Sequence, residues 1–229
     1  MITMSVKERL STLQEQIDAV CTRCNLDISK VQIVAVTKYV SVETTAQALD
    51  AGLVHIGENR TEGAVQKWDE LGERGIWHFI GSLQTRKVKQ IVGKYEYLHS
   101  LDRLSLAKEV DKRLEDGQVM KCFVQVNVSG EESKSGLSPK EVIPFIQDLG
   151  QFKHIEVVGL MTMAPFYDDP ELTRPIFRNL REIRDEVQLL NLDYAPCKEL
   201  SMGMSNDFTV AIEEGATFIR IGSALVGKE

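Results

Sequence analysis

Lys38 ends the stretch Val31-Gln-Ile-Val-Ala-Val-Thr-Lys38, in which six residues are apolar or β-branched. An amine delivered by a buried strand loses hydration, tends to deprotonate and becomes a nucleophile for aldehydes. A lysine leaving a strand also snorkels readily into water, so this stretch alone leaves both readings open. Near the other end of the chain, two loops carry small and hydroxyl-bearing residues: Leu200-Ser-Met-Gly-Met-Ser-Asn-Asp207 and Arg220-Ile-Gly-Ser-Ala224. Loops of this kind let backbone N–H groups approach a phosphate, and a following helix N-terminus adds a positive dipole end. Arg220 interrupts the apolar run Thr217-Phe-Ile-Arg-Ile221. A buried guanidinium needs a partner, either a carboxylate on an outer helix or an acceptor on a ligand.

An amine, a phosphate cradle and a cation between them describe pyridoxal 5′-phosphate (PLP), which has an aldehyde, a phosphate and a ring nitrogen around one plane. Lys38 would form the imine. Ser201, Gly222 and Ser223 would hold the phosphate. Arg220 would face the ring nitrogen and disfavour its protonation, leaving the ring a weakened electron sink.

These residues must be positioned by regular elements, and the chain has a clear rhythm. Strands are expected over 31–37, 54–57, 76–80, 95–99, 120–128, 157–161, 199–202 and 217–221. Helical stretches follow them over 42–51, 61–71, 85–92, 103–116, 139–149, 172–190 and 207–214. Six of these helices end on a glycine, the residue that accepts the left-handed C-terminal conformation. Asp102 is the expected N-cap of the fourth helix, and Ser138-Pro-Lys-Glu141 fits a capping box. Pro144 predicts a distortion inside the fifth helix. Residues 5–25 place Leu10, Leu13, Ile17 and Val20 at helical spacing, outside the repeat. The pattern predicts a single (β/α)8 barrel domain over 1–229, with an extra N-terminal helix over 1–26 packed on it. An open doubly wound sheet is the alternative, but no G-x-G-x-x-G follows the first strand. In such barrels phosphate sites favour the loops after strands seven and eight, where the two small-residue loops fall.

Composition removes other classes. A net charge of −7 argues against a large nucleic-acid footprint. No apolar run reaches the roughly 18 residues of a membrane span, and the first ten residues, with Lys7, Glu8 and Arg9, lack the apolar core of a secretory signal. Four cysteines in a chain this long suggest a reducing cytoplasm, and Cys21-x-x-Cys24 reads as structural. No obvious extra apolar strip is present, which favours a monomer. The four histidines, His55, His78, His99 and His154, show no ligand-like spacing, so no metal site is expected. Other residues at strand ends are Asn59, which can meet a ligand hydroxyl or cap the next helix, His78, more often a core histidine than a base, and Met161 and Met163, more often packing.

Several motifs together resemble the YggS/PROSC pyridoxal phosphate homeostasis proteins. They are Val34-Ala-Val-Thr-Lys38, Gly57-Glu-Asn59, His78-Phe-Ile-Gly81 with Leu83-Gln84, Gly159-Leu-Met161, and Ser201-Met-Gly-Met-Ser-x-Asp207 through Arg220-Ile-Gly222. The resemblance covers nearly the whole chain and is most specific in its last forty residues. It implies a fold-type III barrel like that of the racemases, PLP carried on Lys38, and a part in vitamin B6 and amino-acid balance without an established reaction. With the reading of the residues, the expected cofactor contacts are Lys38, Asn59, His78, Met161, Ser201, Gly203, Arg220, Gly222 and Ser223, and the expected recipients are PLP-dependent apo-enzymes. One departure is visible: the family commonly carries Asn then Lys where this chain has Arg86-Lys87. Two enzymatic alternatives share the amine. An amino-acid racemase would need a second base, for which His78 is the candidate; a Schiff-base aldolase on sugar phosphates would hold no chromophore.

Overall fold

The protein is described by a computed structural model covering residues 4–131 and 133–229. The first three residues of the N-terminal stretch and Glu132 of the polar 129–137 loop lie outside the described residues.

Eight parallel strands close into a barrel in chain order: β1 Gln32–Val36, β2 His55–Glu58, β3 Ile76–Phe79, β4 Tyr97–Leu101, β5 Met120–Gln125, β6 Ile155–Met161, β7 Glu199–Ser201 and β8 Phe218–Ile221. β8 pairs with β1, matching Arg220 with Val34, so there is no open edge of the kind a doubly wound sheet would leave. The helices are α1 Val6–Cys24, α2 Val42–Asp50, α3 Thr61–Leu71, α4 Leu104–Arg113, α5 Val142–Leu149, α6 Arg174–Leu189, α7 Phe208–Glu213 and α8 Ser223–Val226. The helical segment expected after β3 is a 3-10 helix, Thr85–Gln90.

α1 starts on a Ser5/Glu8 capping box and buries Leu10, Leu13, Ile17 and Val20 against α7 and α8. It stops because Asn25 takes the left-handed conformation, φ 53°. The main core lies between strands and helices, and a smaller one of Val34, Phe123, Val158, Met161 and Phe218 fills the barrel itself. Strands buried on both faces explain why β1 reads as a continuous apolar run instead of alternating.

Five of the six helix-ending glycines, at 52, 72, 93, 117 and 215, have positive φ. Gly150 does not (φ −61°). A Cβ there would stand 2.8 Å from the Tyr194 ring, so Gly150 is required by space. Asp102 does not cap α4; it pairs with Arg103, which holds the cap position, at 2.7 Å. The distortion predicted at Pro144 is a switch of helix type. A 3-10 turn, Pro139–Glu141, carries the capping box, and α5 begins after it. Pro144 then falls in the first turn of α5, where its missing N–H has no partner to lose. All four cysteines are free thiols. Among the described residues no helix is long and apolar enough to cross a membrane, and no three His, Cys, Asp or Glu side chains gather as metal ligands.

Candidate functional site

The C-terminal ends of the strands open on a cavity of about 920 Å³. Lys38, Asn59, Arg220, Gly222 and Ser223 all line it. β1 ends at Val36, and Thr37 is the last buried residue before the chain turns at the rim. Thr37 is fixed from three sides. Its N–H donates to the Gly57 carbonyl at 3.0 Å, its hydroxyl donates to Glu58 Oε1 at 2.5 Å, and its carbonyl accepts from Lys67 Nζ. Lys67 also pairs with Glu58 at 2.7 Å, with both side chains buried. A buried ion pair from α3 and β2 thus clamps the residue that precedes Lys38.

Lys38 itself is exposed, with Nζ 4.9 Å from the centre of the Tyr39 ring. The expectation that burial strips its hydration does not hold: the strand ends two residues earlier, and the side chain stands on the cavity wall.

Arg220 is 5% exposed. One terminal nitrogen donates to Ser201 Oγ at 2.6 Å and the other to the Thr162 carbonyl at 2.8 Å. Among the described residues no carboxylate forms a salt bridge with it, so the outer-helix carboxylate left open by the sequence is absent. Burial pulls the guanidinium down to about 10, against the pull of Asp207 in the other direction. Burial likewise pushes the Asp207 carboxyl up, while its bond from the Met204 N–H (2.6 Å) opposes the shift.

Gly222 is the residue before α8. A Cβ added there would meet only Val36, at 3.8 Å, so its cavity side faces open space. The N–H groups of the first turn of α8, Ser223 and Ala224, have no intrahelical acceptor and are available to an anion. Asn59 is not the cap of α3, since Arg60 holds that position. Its Oδ1 is buried without a hydrogen-bond partner. It comes to the mouth because Gly81 allows close approach: a Cβ on Gly81 would sit 2.1 Å from the Asn59 carbonyl oxygen.

Four residues read as candidates from sequence do not reach the cavity wall. His78 lies wholly buried inside the barrel, hydrogen-bonded to His55 and His99 at 2.8 Å each. Met161 belongs to the inner apolar cluster. Ser201 is the last residue of β7, and its hydroxyl points into the barrel to Arg220 and His99. Gly203 is a packing glycine with φ 90°, where a Cβ would stand 2.6 Å from the Ala211 Cβ. Ser205 and Asn206, two and three residues beyond Gly203, line the cavity in their place. Their signal lies in the same small-residue loop; strand seven ends earlier than its apolar pattern suggests, which moves the cavity-facing positions along the loop. The Lys67–Glu58 clamp had no signal, because Lys67 sits on an ordinary helical face. Arg86 and Lys87 make local contacts instead, to Gln84 and Glu62 respectively.

The donor set fits a phosphorylated aldehyde with a ring nitrogen. It offers an amine free of carboxylates, a buried guanidinium with unused N–H groups, an orphaned amide oxygen, and small residues with open backbone in front of them.

The profile of the family described as alanine racemase, N-terminal domain, matches residues 9–229. A pyridoxal phosphate homeostasis protein of Aquifex aeolicus is 41% identical over 227 residues, spanning 98% of this chain and 99% of that protein. One from Escherichia coli K12 is 32% identical over 228 residues, 97% of this chain and 96% of that protein. The structure of PipY from Synechococcus elongatus with PLP bound matches with a TM-score of 0.83 at 32% identity, over 97% of this chain and 100% of that one. An alanine racemase of Clostridium difficile 630 matches with a TM-score of 0.74 at 16% identity, over 94% of this chain and 56% of that one, a likeness of fold alone.

Proposed function

The chain belongs to the family of the pyridoxal phosphate homeostasis proteins, within the wider alanine racemase N-terminal domain family, and we propose from this premise that it binds PLP at the barrel mouth and acts in vitamin B6 homeostasis as a holder of the cofactor. The observation that carries this reading is the convergence of Lys38, Arg220 and the Gly222-Ser223 turn on one cavity. When bound, PLP supplies an aldehyde that an amine can capture, on a ring that draws electrons. Lys38 is the amine for that covalent link, and the clamp on Thr37 fixes the backbone from which it reaches. Gly222 and Ser223, with Ser205 and Asn206 on the wall of the same cavity, bind the phosphate. Arg220 meets the ring nitrogen as a donor that cannot readily accept a proton there, which keeps the ring less electron-withdrawing. Asn59 brings its unpaired oxygen to a ring hydroxyl.

The holder reading is supported over a racemase by His78. Two-base racemisation needs a proton-transferring group across from Lys38, and both ring nitrogens of His78 are engaged inside the barrel. The aldolase reading uses the same amine and anion site but not a cofactor.

Purified protein mixed with PLP is expected to develop a saturable visible absorbance, and borohydride is expected to fix one pyridoxyl label on Lys38. Lys38→Ala should abolish the label and weaken retention by more than roughly tenfold. A wild-type protein that takes up no PLP would overturn the reading and leave the aldolase ahead. Steady interconversion of a D/L amino-acid pair, lost in Lys38→Ala, would replace the holder with a racemase.

A further inference from the structure

Beneath the cavity, five side chains from five strands make one unbroken hydrogen-bonded row. His55 Nδ1 lies 2.8 Å from His78 Nε2, His78 Nδ1 lies 2.8 Å from His99 Nε2, and His99 Nδ1 lies 2.8 Å from Ser201 Oγ. Arg220 closes the row on the same Ser201 oxygen, at 2.6 Å. All five are buried. Nothing in the function described above requires three histidines inside the barrel, where apolar side chains normally fill the space.

The row has one self-consistent direction. A guanidinium only donates, so Ser201 Oγ accepts from Arg220. The serine proton then has one acceptor in the row, His99 Nδ1. A neutral His99 that accepts on Nδ1 carries its proton on Nε2 and donates to His78. The same step repeats from His78 to His55. Run the other way, the row would leave the serine proton without an acceptor in the interior, which is unfavourable. Burial, reinforced for His99 by Arg220 and for His78 by its histidine neighbours and Lys121, holds both rings well below the ordinary histidine range, so they stay neutral. At the outer end burial disfavours the charge on His55 most; the charge of Glu96 works against that, and the charge of Lys121 adds to it.

We propose that His55, His78, His99 and Ser201 are the positioning residues of Arg220, a row of aligned dipoles whose acceptor ends point at the guanidinium and hold it oriented without a carboxylate in hydrogen-bond contact. A carboxylate would anchor the arginine as firmly. It would also cancel the positive field on the cavity side, whereas neutral acceptors leave that field to the ligand. The inference rests on the proposed function in one respect only, that the remaining face of Arg220 serves the ring nitrogen of PLP.

The test has two arms, and the first needs no cofactor. Nitrogen NMR of the apo protein is expected to find His55, His78 and His99 all protonated on Nε2, with His78 and His99 not titrating across roughly pH 6 to 8. A proton on Nδ1 of His78 or His99 would overturn the direction and with it the proposal. In the same samples the terminal guanidinium N–H protons of Arg220, which make the bond to Ser201, are expected to exchange with solvent roughly tenfold faster in His78→Leu than in wild type, the scale of one hydrogen bond. His78→Gln, which keeps a donor and an acceptor, should restore the slow rate. Equal exchange in wild type and His78→Leu would make the histidines packing only and overturn the proposal. Should His78→Leu not fold, Ser201→Ala reads the same exchange, and a rate unchanged from wild type would overturn the proposal equally. In the second arm, the absorbance of bound PLP is expected to shift in His78→Leu and return in His78→Gln; a failure of wild type to bind PLP at all defeats the proposed function, and the exchange arm still decides this one.

Discussion

Two arginine environments stand within one α/β layer of each other. On the outer wall Glu214, buried at the end of α7, receives Arg174 at 3.1 Å, Arg178 at 3.1 Å and Arg181 at 2.9 Å, all from α6. Inside the barrel Arg220 has a serine hydroxyl and a backbone carbonyl, and among the described residues no carboxylate in salt-bridge contact. The outer cluster is complete in itself: charge meets charge, and its arginines stay partly in water. The inner arginine keeps its charge unspent. The difference separates an ion network that holds a helix to its neighbour from a buried cation on the cavity wall, to which the proposed function gives a ligand contact.

The largest effects should come from exchanging those roles. Glu214→Gln leaves three arginines around a neutral amide. It is expected to lower stability by about 2–3 kcal/mol, less than a fully buried pair because the arginines are partly solvated, with the PLP spectrum unchanged. Arg220→Met removes a buried charge in favour of an apolar chain of similar length. It is expected to change stability by less than about 1 kcal/mol, while weakening PLP retention and altering the spectrum. Urea unfolding and absorbance read both. Matching stability losses with matching spectra would break the comparison.

Acid separates the two regions as well. His78 and His99 are held neutral in the fold, so below their ordinary value of 6.5 the unfolded chain takes up protons that the folded chain refuses. Stability is therefore expected to fall as the pH drops from about 7 toward 5, and His99→Gln should flatten that limb. Glu214 behaves in a lower window. Burial pushes its carboxyl up, but hydrogen bonds from Arg178 and Arg174 outweigh it and leave it below the ordinary 4.5. Its contribution is present above that value and is lost as pH falls through the depressed one. Thermal melts across pH should show two limbs; a single limb near pH 4.5 would mean the histidines carry protons in the folded state.

How much of this was legible in the chain depended on how local the signal was. β1 and β8 were readable as apolar runs, and the helix ends as glycines, because the left-handed position at 52, 72, 93, 117 and 215 is set within a few residues. Gly150 looked the same and is not, since the Tyr194 ring that excludes a side chain arrives from 44 positions away. Lys38, Asn59, Arg220, Gly222 and Ser223 were findable because each sits at a strand end or interrupts an apolar strand. The exposure of Lys38 was not, because it depends on β1 stopping at Val36. Ser201 and Gly203 looked like cavity residues because the apolar pattern of strand seven runs one residue past its paired end. The histidine row was invisible for a stronger reason. Each histidine stands alone in its own strand, and only barrel closure brings β2, β3, β4 and β7 to one interior.

The smallest effects, and the sharpest use of the comparison, concern two glycines in the paired loops. Gly203 is held by the scaffold: φ is 90°, and a methyl would press on Ala211 at 2.6 Å. Gly203→Ala is expected to lower stability by about 1–2 kcal/mol through strain and overpacking, and to affect PLP only as far as the fold loosens. Gly222 has room, with Val36 at 3.8 Å the nearest contact for an added methyl. Gly222→Ala should therefore leave the unfolding midpoint nearly where it is, within about 0.5 kcal/mol, because no packed atom is displaced. The methyl would instead occupy space in front of the α8 turn, so phosphate affinity and PLP retention should drop several-fold while the Lys38 label still forms at high PLP. A drop in stability as large as that of Gly203→Ala, with retention intact, would move Gly222 to the scaffold side and take the phosphate cradle away from α8.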